Sequence, residues 1–382
     1  MNRKTVHLSG LNVVRTAEFF AGSGLVTEGL KGLSKVVWAN DISERKAKIY
    51  QANHSGEFQL ADICEIKGHS VPHCDLSWAS FPCQDLSLAG RMEGIKASRS
   101  GMFWEWLRVI DEMEEQPKVI CLENVVGLVA SNGGAHYRAL HEALTTRGYR
   151  VGPMMLDAVN WLPQSRRRIF VVAIRAEFDI SEFTDSAPNW THSPGVVKAA
   201  SGLKNLVWWS LPFPAAPVQG LSDIIEWNAP CFDSDRTKSL LELIPDHHRR
   251  LLNQHAAVMK RVVFPGYRRT RSGKQVLELR FDNLSGCLRT AEGGSSKQFL
   301  ILADHQQFSA RLLTPREAAR LMGAPDSYQL SQSDNDSYSA MGDAVAVPVV
   351  QHLARHLLVP LTNAKISENG SPRRTANFCL QS

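Results

Sequence analysis

The most restrictive feature of this sequence is an alternation of short apolar segments with helical patterns up to about residue 175. Segments of strand length and apolar character lie at 13–20, 36–39, 76–79, 119–122 and 169–174. Helical patterns separate some of them, at 103–114 and 137–147. Strands that alternate with helices predict a mainly parallel sheet with helices on both faces, so the predicted fold class is α/β.

The length of the chain predicts a second, smaller domain. A single core stops growing at about 250–300 residues, and this chain has 382. The alternation ends after Arg175, and residues 183–232 are rich in Pro, Trp and Ser without clear periodicity. We therefore predict a first domain at 12–180, completed by 335–362, a smaller domain at 181–334 and a loose polar tail at 363–382. Thr314 is the expected N-cap of a helix that begins at Pro315.

Composition excludes several classes of protein. Hydrophobic residues make up 43% of the chain and charged residues 21%, as in ordinary folded proteins. The start of the chain does not have the pattern of a secretory signal, and no run of 18 apolar residues predicts a membrane span. The seven cysteines are odd in number and lack Cys-x-x-Cys spacing, which argues against disulfides and structural zinc. We expect no metal, and a reducing, cytoplasmic location.

A small-residue turn after the first predicted strand indicates a nucleotide-like ligand. Glycines in Phe20-Ala21-Gly22-Ser23-Gly24 allow close approach of the backbone at a helix N-terminus, although such a turn can also be merely tight. Asp41 follows Gly22 by 19 positions (41 − 22), near the spacing of ~20 typical of a ribose-binding carboxylate. Thr27 replaces the third glycine of the dinucleotide motif, which favours adenosine without phosphates, as in S-adenosylmethionine.

Three other segments carry groups suited to catalysis. Cys83 follows a strand and precedes a polar, glycine-containing loop, where a ligand can bind, although a lone cysteine is more often a buried apolar residue. Glu123 ends another strand, where a carboxylic acid is costly unless it is paired. In 164–168, strand alternation directs Arg166 and Arg168 to one face and Arg167 to the other, unless the run is only a solvated surface.

Basic residues are concentrated between 261 and 280. This segment has six basic side chains against one acid, Glu278. They are Arg261, Arg268, Arg269, Arg271, Lys274 and Arg280. Such a local cluster is suited to phosphates.

Together, these segments resemble the cytosine-C5 DNA methyltransferases of bacterial restriction-modification systems. The resemblance covers about 14–175 and 311–355, and the segment between them corresponds to the variable target-recognition region. It rests on the order of the motifs along the chain. The motifs are Phe20–Gly24, Asp41, Asp62-Ile63, Phe81-Pro82-Cys83-Gln84, Ser98-Arg99, Glu123-Asn124-Val125, Gln164–Arg168, Leu313–Gly323 and Met341–Val345.

The resemblance implies a fold, a reaction and a catalytic set. The fold is the Rossmann-like sheet of S-adenosylmethionine-dependent methyltransferases with a smaller target-recognition domain. Cys83 adds to carbon 6 of a flipped-out cytosine, and Glu123 stabilises N3 with a raised pKa. Arg168 contacts O2, and Arg166 supports the thiolate. The methyl group then passes from S-adenosylmethionine to carbon 5.

The resemblance also implies the binding residues. For the cofactor, Asp41 binds the ribose, Asp62 the adenine amine, and Phe20 and Ile63 flank the ring. The full expected cofactor set is Phe20, Ala21, Gly22, Gly24, Asp41, Ile42, Asp62, Ile63, Pro82, Asp343 and Ala344. The expected contacts to double-stranded DNA are Ser87, Arg99, Arg268, Arg269, Arg271, Arg289 and Thr290. We expect a monomer without an obligate protein partner.

Three positions depart from the family pattern. Leu25 stands where another glycine is frequent, and Ile42 where an aromatic or apolar side chain often covers the adenine. Asp343 stands where asparagine is usual, which puts a carboxylate near the cofactor. None of the three removes a catalytic group.

Two other functions compete with this one. An RNA methyltransferase could use the same fold, but Cys231-Phe232-Asp233 is a poor match to the Cys-Phe-Thr signature of tRNA-modifying relatives. A non-catalytic DNA-binding regulator could also share the fold, but the Pro-Cys, Glu-Asn-Val and Gln-x-Arg-x-Arg motifs are intact.

Overall fold

A large, mainly parallel sheet forms the first half of the protein. The computed structural model describes residues 13–82, 101–217, 219–259, 261–290, 297–305 and 307–367. Within these ranges, seven strands belong to this sheet: β1 (Arg15–Phe19), β2 (Lys35–Asp41), β3 (Phe58–Leu60), β4 (Leu76–Ala79), β5 (Val119–Val125), β6 (Tyr149–Asp157) and β7 (Arg167–Arg175). The predicted α/β class is confirmed.

The strand order creates a ligand-binding edge. The order is β3-β2-β1-β4-β5-β7-β6, and β7 alone among these strands is antiparallel to both neighbours. The chain moves outward from β1 to β3 in one direction and from β4 to β5 in the other. Ligands of open α/β sheets bind outside the carboxyl ends of the strands, at such a reversal of order. Here the reversal lies between β1 and β4.

The strands of the large sheet lie between two apolar cores, one on each face. In β5, Val119 and Cys121 belong to one apolar core, whereas Ile120 and Leu122 belong to the core on the opposite face. Strands buried on both faces are continuously apolar, which is the pattern seen in the sequence. The helices in this part of the chain are α1 (Leu25–Leu30), α2 (Glu44–Asn53), α3 (Met102–Glu112), α4 (Gly127–Ala130) and α5 (Ala135–Thr145).

Two strands of the large sheet were not predicted from the sequence. β3 has three residues, too few for a periodic signal. β6 contains Gly152-Pro153, a pair that normally indicates a turn. β6 is the edge strand of the sheet, where a proline disrupts no ladder hydrogen bond on the open side. Gly152 is also required by packing, since a Cβ there would lie 2.5 Å from Nε1 of Trp209.

The segment from 181 to 225 covers the large sheet. It contains β8 (Thr184–Asp185), β9 (Trp208–Trp209), α6 (Pro194–Ala200) and α7 (Leu221–Ile224). Val196 packs in one core of the large sheet, and Trp209 and Leu221 pack in the other. The predicted smaller domain began at 181, but its first 45 residues or so are packed against the first domain. Their irregular sequence gave no periodic pattern that would indicate this.

A second sheet has an apolar core of its own on one face, whereas Val263, Leu300 and Leu302 on its other face belong to the core of the large sheet. After α8 (Ser234–Glu242) and α9 (Asp246–Val258) come β10 (Arg261–Arg271), β11 (Lys274–Leu279), β12 (Phe299–Asp304) and β13 (Gln307–Leu312). The sheet has the order β11-β10-β12-β13 and is antiparallel. Ser272 and Gly273, with φ of 49° and 78°, form the tight turn between β10 and β11. Gly266 lies within β10 and is paired with Leu279 of β11 and Phe299 of β12.

The last helices return to the large sheet. α10 (Pro315–Leu321) begins as predicted, with Thr314 as N-cap in a capping box with Glu317. α11 (Asp334–Asp343), α12 (Val347–Leu353) and α13 (Val359–Thr362) follow, with a π-helical stretch at Ala354–Leu358. Residues 313–328, which were assigned to the smaller domain, place Leu313, Ala318 and Tyr328 in the core of the large sheet.

The helical segments between Asp334 and Thr362, taken together, meet the length and composition of a membrane span, with a mean hydropathy of 1.3 in their most apolar window. Of that window, 56% is buried inside the protein, and Val350, Leu353 and Leu357 are fully buried in the core. Length and composition alone do not distinguish a membrane span from such a core helix.

The beginning of the predicted tail is attached to the large domain. Asp179 donates its N–H to the carbonyl of Lys365, and Ser367 donates to Glu177. Lys118 Nζ also donates to the carbonyls of Thr362 and Ala364, at 2.7 and 2.6 Å. Residues 363–367 therefore extend the domain, and 368–382 lie outside the described residues.

Candidate active site

A cavity of about 390 Å³ lies at the carboxyl ends of β1, β2, β4 and β5. It collects most of the side chains predicted for the cofactor and two of those predicted for catalysis. From the cofactor set, its walls include Phe20, Ala21, Gly22, Asp41, Ile42, Asp62, Ile63, Pro82, Asp343 and Ala344. From the catalytic set, they include Glu123 and Arg168. Parts of the chain more than 300 residues apart thus meet at one edge of the sheet.

Other predicted site residues lie elsewhere. Gly24 and Arg166 are not among the residues that line the cavity. Cys83, Ser87 and Arg99 lie outside the described residues, although Pro82, which is bonded to Cys83, does line it. Thr290 and Arg289 adjoin Gly342, where a Cβ would lie 2.4–2.6 Å from their backbone atoms.

The turn after β1 has an unusual backbone. Phe20 and Gly22 both have φ of 56°, and Gly24 has φ of 87°. A left-handed conformation is costly for a residue such as Phe, and such strain concentrates at functional sites. Gly24 has a packing reason as well, because a Cβ there would lie 2.6 Å from His54 and 2.8 Å from Tyr50. Packing thus accounts for this glycine, and its contact with the cofactor stays a prediction.

A buried carboxyl group lies beneath this turn. Glu18 is 1% exposed, and burial raises its pKa to about 8. One of its oxygens accepts a hydrogen bond from Thr27, which also pairs with the Tyr50 hydroxyl at 3.0 Å. The other, Oε1, has no partner among the described residues. The neutral acid is therefore the favoured form, because an unpaired buried charge is costly. No pattern in the sequence indicates this residue.

Asp41 organises the turn and faces the cavity. Its Oδ2 accepts the N–H of Gly22 and its Oδ1 that of Ser43, both at 2.8 Å. Each carboxylate oxygen has a further lone pair, so these contacts orient the group and leave it able to accept more hydrogen bonds. Beside it, Ile42 is 67% exposed. An exposed aliphatic side chain at the rim of a cavity suits a flat apolar ring.

Asp62 lies in a separate turn that Arg108 holds in place. Its Oδ1 accepts the N–H of Cys64, at the start of a 3-10 helix at Ile63–Glu65. Arg108 Nη2 donates to the carbonyls of Ile63 and Ile66 at 3.1 and 3.0 Å. Arg108 belongs to α3, so this helix and the Asp62 turn are connected directly. The sequence contained no signal for Arg108, because its contacts are to backbone atoms far along the chain.

Glu123 and Arg168 form a largely buried ion pair in the wall of the cavity. The Arg168 Nε lies 3.1 Å from Oε1 of Glu123, and their side chains are 15% and 7% exposed. β5 and β7 are antiparallel neighbours, which brings the two residues together. The side chains of 166–168 alternate as predicted, since Arg167 is 64% exposed and paired with Asp157.

The pKa of Glu123 is raised, as the sequence analysis predicted for an acid. Burial is the main cause, and the negative charge of Asp343 adds to it. The positive charges of Arg168 and Arg166, with a hydrogen bond from Ser80, oppose the change without reversing it. A carboxyl group of this kind retains its proton to higher pH than an exposed glutamate.

Asn124 links the Glu123 strand to the residues before Cys83. Its Nδ2 donates to the carbonyl of Phe81 at 2.9 Å, and its side chain is buried. Its Oδ1 accepts the N–H of Val125 at 2.9 Å. The amide thus holds the end of β5 against the segment that leads to Cys83.

Arg166 joins three distant segments. Its Nη2 donates to the carbonyls of Gly342 and Ala344, both at 2.7 Å, and its Nη1 to Leu288 at 3.0 Å. Its side chain is fully buried, and Nη1 also lies 3.4 Å from Sγ of Cys287. Arg166 therefore holds the parts of the chain that border the cavity, and the described contacts give it a structural role.

The predicted DNA-binding arginines have varied surroundings. Arg271 is paired with Glu278 through two contacts of 2.6 and 2.9 Å. The guanidiniums of Arg269 and Arg289 lie 5.1 and 5.9 Å from the ring of Tyr267. Arg268 lies instead over Phe299, on the core side of β10. Among the described residues, no group of three or more potential ligands could hold a metal ion.

Comparison with known proteins identifies the family. Residues 14–358 match the family model described as C-5 cytosine-specific DNA methylase. The chain is 28% identical over 352 residues to the Type II methyltransferase M.Bsp6I of Bacillus sp. (strain RFL6), covering 90% of this chain and 98% of that enzyme. It is 24% identical over 360 residues to M.HhaI of Haemophilus parahaemolyticus, covering 93% and 96%.

A solved structure shows the same fold. The S. pombe Dnmt2 methyltransferase superposes with a TM-score of 0.59 at 22% identity, over 92% of this chain and 99% of that one. At this identity the likeness concerns the fold alone, whereas the family match spans most of the sequence. The family predicted from the order of the motifs is confirmed, and this chain belongs to the C-5 cytosine-specific DNA methylases.

Proposed function

We propose that this chain methylates carbon 5 of cytosine within a specific sequence of double-stranded DNA, with S-adenosylmethionine as donor and Cys83 as nucleophile. The observation that carries the proposal is the single cavity that joins Asp41 and Asp62 to the Glu123–Arg168 pair. One end offers groups for an adenosine, and the other offers an acid and a guanidinium for a pyrimidine. Pro82 lines the cavity between them and is bonded to Cys83.

The chemistry follows from these groups. The Cys83 thiolate adds to carbon 6, and the electron pair of the double bond moves toward N3. Glu123, with its raised pKa, donates its proton or a hydrogen bond at N3. Carbon 5 is then nucleophilic and takes the methyl group. Loss of the proton from carbon 5 expels Cys83 and restores the ring.

Two arginines support this step. Arg168, paired with Glu123, contacts the O2 carbonyl of the base in the proposal. Arg166 holds the 342–344 and 288 segments against the site, and its buried Nε has no partner among the described residues. A role of Arg166 near the thiolate stays a prediction.

The cofactor assignment is supported by the composition of the cavity. Three groups in its wall suit three parts of an adenosine. The Asp41 carboxylate suits the ribose, and the exposed apolar side chain of Ile42 suits the flat ring. The Asp62 carboxylate suits the exocyclic amine. The left-handed turn at Phe20–Gly22 leaves backbone open to a ligand. When bound, S-adenosylmethionine supplies an electrophilic methyl group on sulfur.

DNA recognition belongs to the second sheet in this proposal. Arg269, Arg271 and Tyr267 share one face of β10, and Arg289 lies beside Tyr267. We propose a narrower target-recognition domain, about 226–312 instead of 181–334, because the segments on either side of it pack on the large sheet. Ser87 and Arg99 remain predicted DNA contacts. The target base is flipped out of the duplex, because carbon 6 is otherwise stacked.

The biological setting is proposed from the relatives. Several similar proteins are named Type II methyltransferases, which supports a role in a restriction-modification system. We propose that the chain acts as a monomer on DNA in the bacterial cytoplasm, without an obligate protein partner.

Trapping on modified DNA tests the nucleophile. In the presence of S-adenosylmethionine, wild type should form a covalent complex with duplexes containing 5-fluorocytosine in the target site. After methyl transfer the fluorine on carbon 5 cannot leave as a proton does, so Cys83 is not released. Cys83→Ser should form none and should lose methyl transfer, yet still bind S-adenosylmethionine. Denaturing electrophoresis detects the complex.

Substrate competition separates the rival functions. Labelled methyl transfer to mixed-sequence duplex DNA, compared with transfer to total RNA, should favour DNA strongly. Transfer to RNA alone would indicate an RNA methyltransferase. No transfer to either substrate, with DNA binding intact, would indicate a regulator.

A further inference from the structure

An ion pair that the catalytic roles leave unexplained lies in the wall of the cavity. Lys46 of α2 and Asp343 at the end of α11 are 297 positions apart, and Nζ lies 2.5 Å from Oδ2. Both residues line the cavity, and their side chains remain 24% and 42% exposed. The pair therefore retains surface that a ligand can contact.

The strand order locates this pair along the cavity. The carboxyl ends of β3, β2 and β1 follow one another across the sheet, so Asp62, Asp41 and Gly22 come in that order. In a ligand whose base lies near Asp62 and whose ribose lies near Asp41, the substituent carried by the ribose extends toward Gly22. Lys46 stands there, because its Cδ lies 3.9 Å from the position of a Cβ on Gly22. Asp343 lies beside it.

We propose that Lys46 and Asp343 bind the amino-acid end of the methyl donor, Lys46 its α-carboxylate and Asp343 its α-ammonium group. This rests on the proposed function, which places S-adenosylmethionine in the cavity. The amino-acid end of that molecule has one negative and one positive group on the same carbon. A cation and an anion held side by side match both charges, and charged hydrogen bonds are stronger than neutral ones.

The proposal accounts for the departure from asparagine at 343. A neutral amide could serve one charge of the ligand through its dipole, without a net charge of its own. A carboxylate there alone would add to the negative charge of Asp41 and Asp62 around the same cavity. Lys46 balances that charge and supplies the group for the ligand's carboxylate.

The competing explanation is a purely structural link between α2 and α11. Arg45 and Asp336 connect the same two helices, with 3.2 Å between Nη1 and Oδ1. A structural link affects every ligand of the cavity equally, whereas direct recognition depends on the group that the ligand carries. Truncated ligands therefore separate the two.

Calorimetric titration of the full-length protein provides the test. Lys46→Met should weaken S-adenosylmethionine roughly tenfold, the scale of one hydrogen bond between charged groups, and leave decarboxylated S-adenosylmethionine unchanged. Asp343→Asn should weaken S-adenosylmethionine and leave the analogue without the α-amino group unchanged. Lys48→Met is the matched control, because Lys48 lies on the same helix, is 71% exposed and pairs with Glu44.

Each outcome decides one question. If Lys46→Met weakens S-adenosylmethionine and the decarboxylated analogue equally, the pair is only a structural link and the proposal is overturned. The same holds if neither substitution changes any affinity. If wild type binds none of the three ligands, the proposed function itself fails, which is a different result.

Discussion

Arginines occupy two contrasting environments in this protein. At the edge of the large sheet, Arg166 is buried and the side chain of Arg168 is only 15% exposed. Backbone carbonyls and Glu123 hold the two guanidiniums in one geometry. On the second sheet, Arg269 and Arg271 are solvent-accessible and are held by an aromatic ring and a surface ion pair. The first environment holds the guanidinium in one position, whereas the second allows it to change position.

The difference matches two kinds of task. A reacting ring requires donors at fixed positions, and preorganised groups in a dry site stabilise developing charge most effectively. A duplex has many equivalent phosphates, and exposed arginines can adapt to them and gain affinity by releasing counterions. We therefore expect substitutions at the two places to differ in kind: turnover and stability at the first, and salt-dependent DNA affinity at the second.

The largest effect is expected at Glu123. Glu123→Gln keeps the size of the side chain but removes the transferable proton, so kcat should fall by roughly 10²- to 10⁴-fold. Because the folded protein raises the pKa of Glu123, the active protonated form persists at low pH and is lost as pH rises through that pKa. Measurement of kcat against pH in wild type should show this decline, and it should be absent in the variant.

Binding measurements provide the control for that prediction. Glu123→Gln should still bind S-adenosylmethionine, since Glu123 lies at the opposite end of the cavity from Asp62 in our proposal. A variant with wild-type kcat across the pH range would remove Glu123 from the mechanism.

The next largest effect concerns stability and Arg166. Arg166→Met leaves buried carbonyls of Leu288, Gly342 and Ala344 without a donor, so we expect a loss of about 3 kcal/mol or more in the free energy of unfolding. Arg167→Met is the matched control, because Arg167 is 64% exposed and its surface ion pair contributes about 0–1 kcal/mol. Urea denaturation measures both. Equal losses would mean that the buried network contributes no more than the surface pair.

The large sheet was the more predictable of the two regions. Its strands are buried on both faces, so apolar runs and the turn at Phe20–Gly24 predicted the sheet and its ligand-binding edge. Thr314 and Pro315 predicted the start of α10 for a local reason, the capping box. A capping box involves only residues that are close together in the sequence, so the sequence is enough to predict it.

What the sequence did not predict depends on contacts between distant residues. Arg108 acts on backbone carbonyls of another turn, and Lys46 meets Asp343 only after folding. β6 contains a Gly-Pro pair that an edge strand tolerates, and segments 181–225 and 313–328 owe their packing to the large sheet. No periodic pattern encodes such associations.

A smaller effect is expected on the second sheet, at Arg269. Arg269 shares its face of β10 with Tyr267 and Arg271, so Arg269→Ala should weaken DNA binding by about 1–3 kcal/mol and relax specificity at one base pair. Arg268→Ala is the control, because Arg268 packs over Phe299 on the other face. Affinities for the methylated site and for scrambled DNA measure both. Equal loss on both duplexes would make Arg269 a phosphate contact.

The smallest effect is expected from Glu278, which occupies Arg271 in a two-contact ion pair. In the absence of DNA this pair competes with phosphate for the guanidinium. Glu278→Gln removes the competing charge, so affinity for DNA of any sequence should rise slightly, and the salt dependence should steepen by up to about one unit of slope. Stability should hardly change, because the pair is exposed. Arg271→Ala should act in the opposite direction, and the double variant should resemble Arg271→Ala, since the effect of Glu278 passes through Arg271. Binding titrations at several salt concentrations provide the slopes. If Glu278→Gln changes the slope equally with and without Arg271, the carboxylate acts on DNA directly, and the exposed arginine is less adjustable than the comparison of the two regions implies.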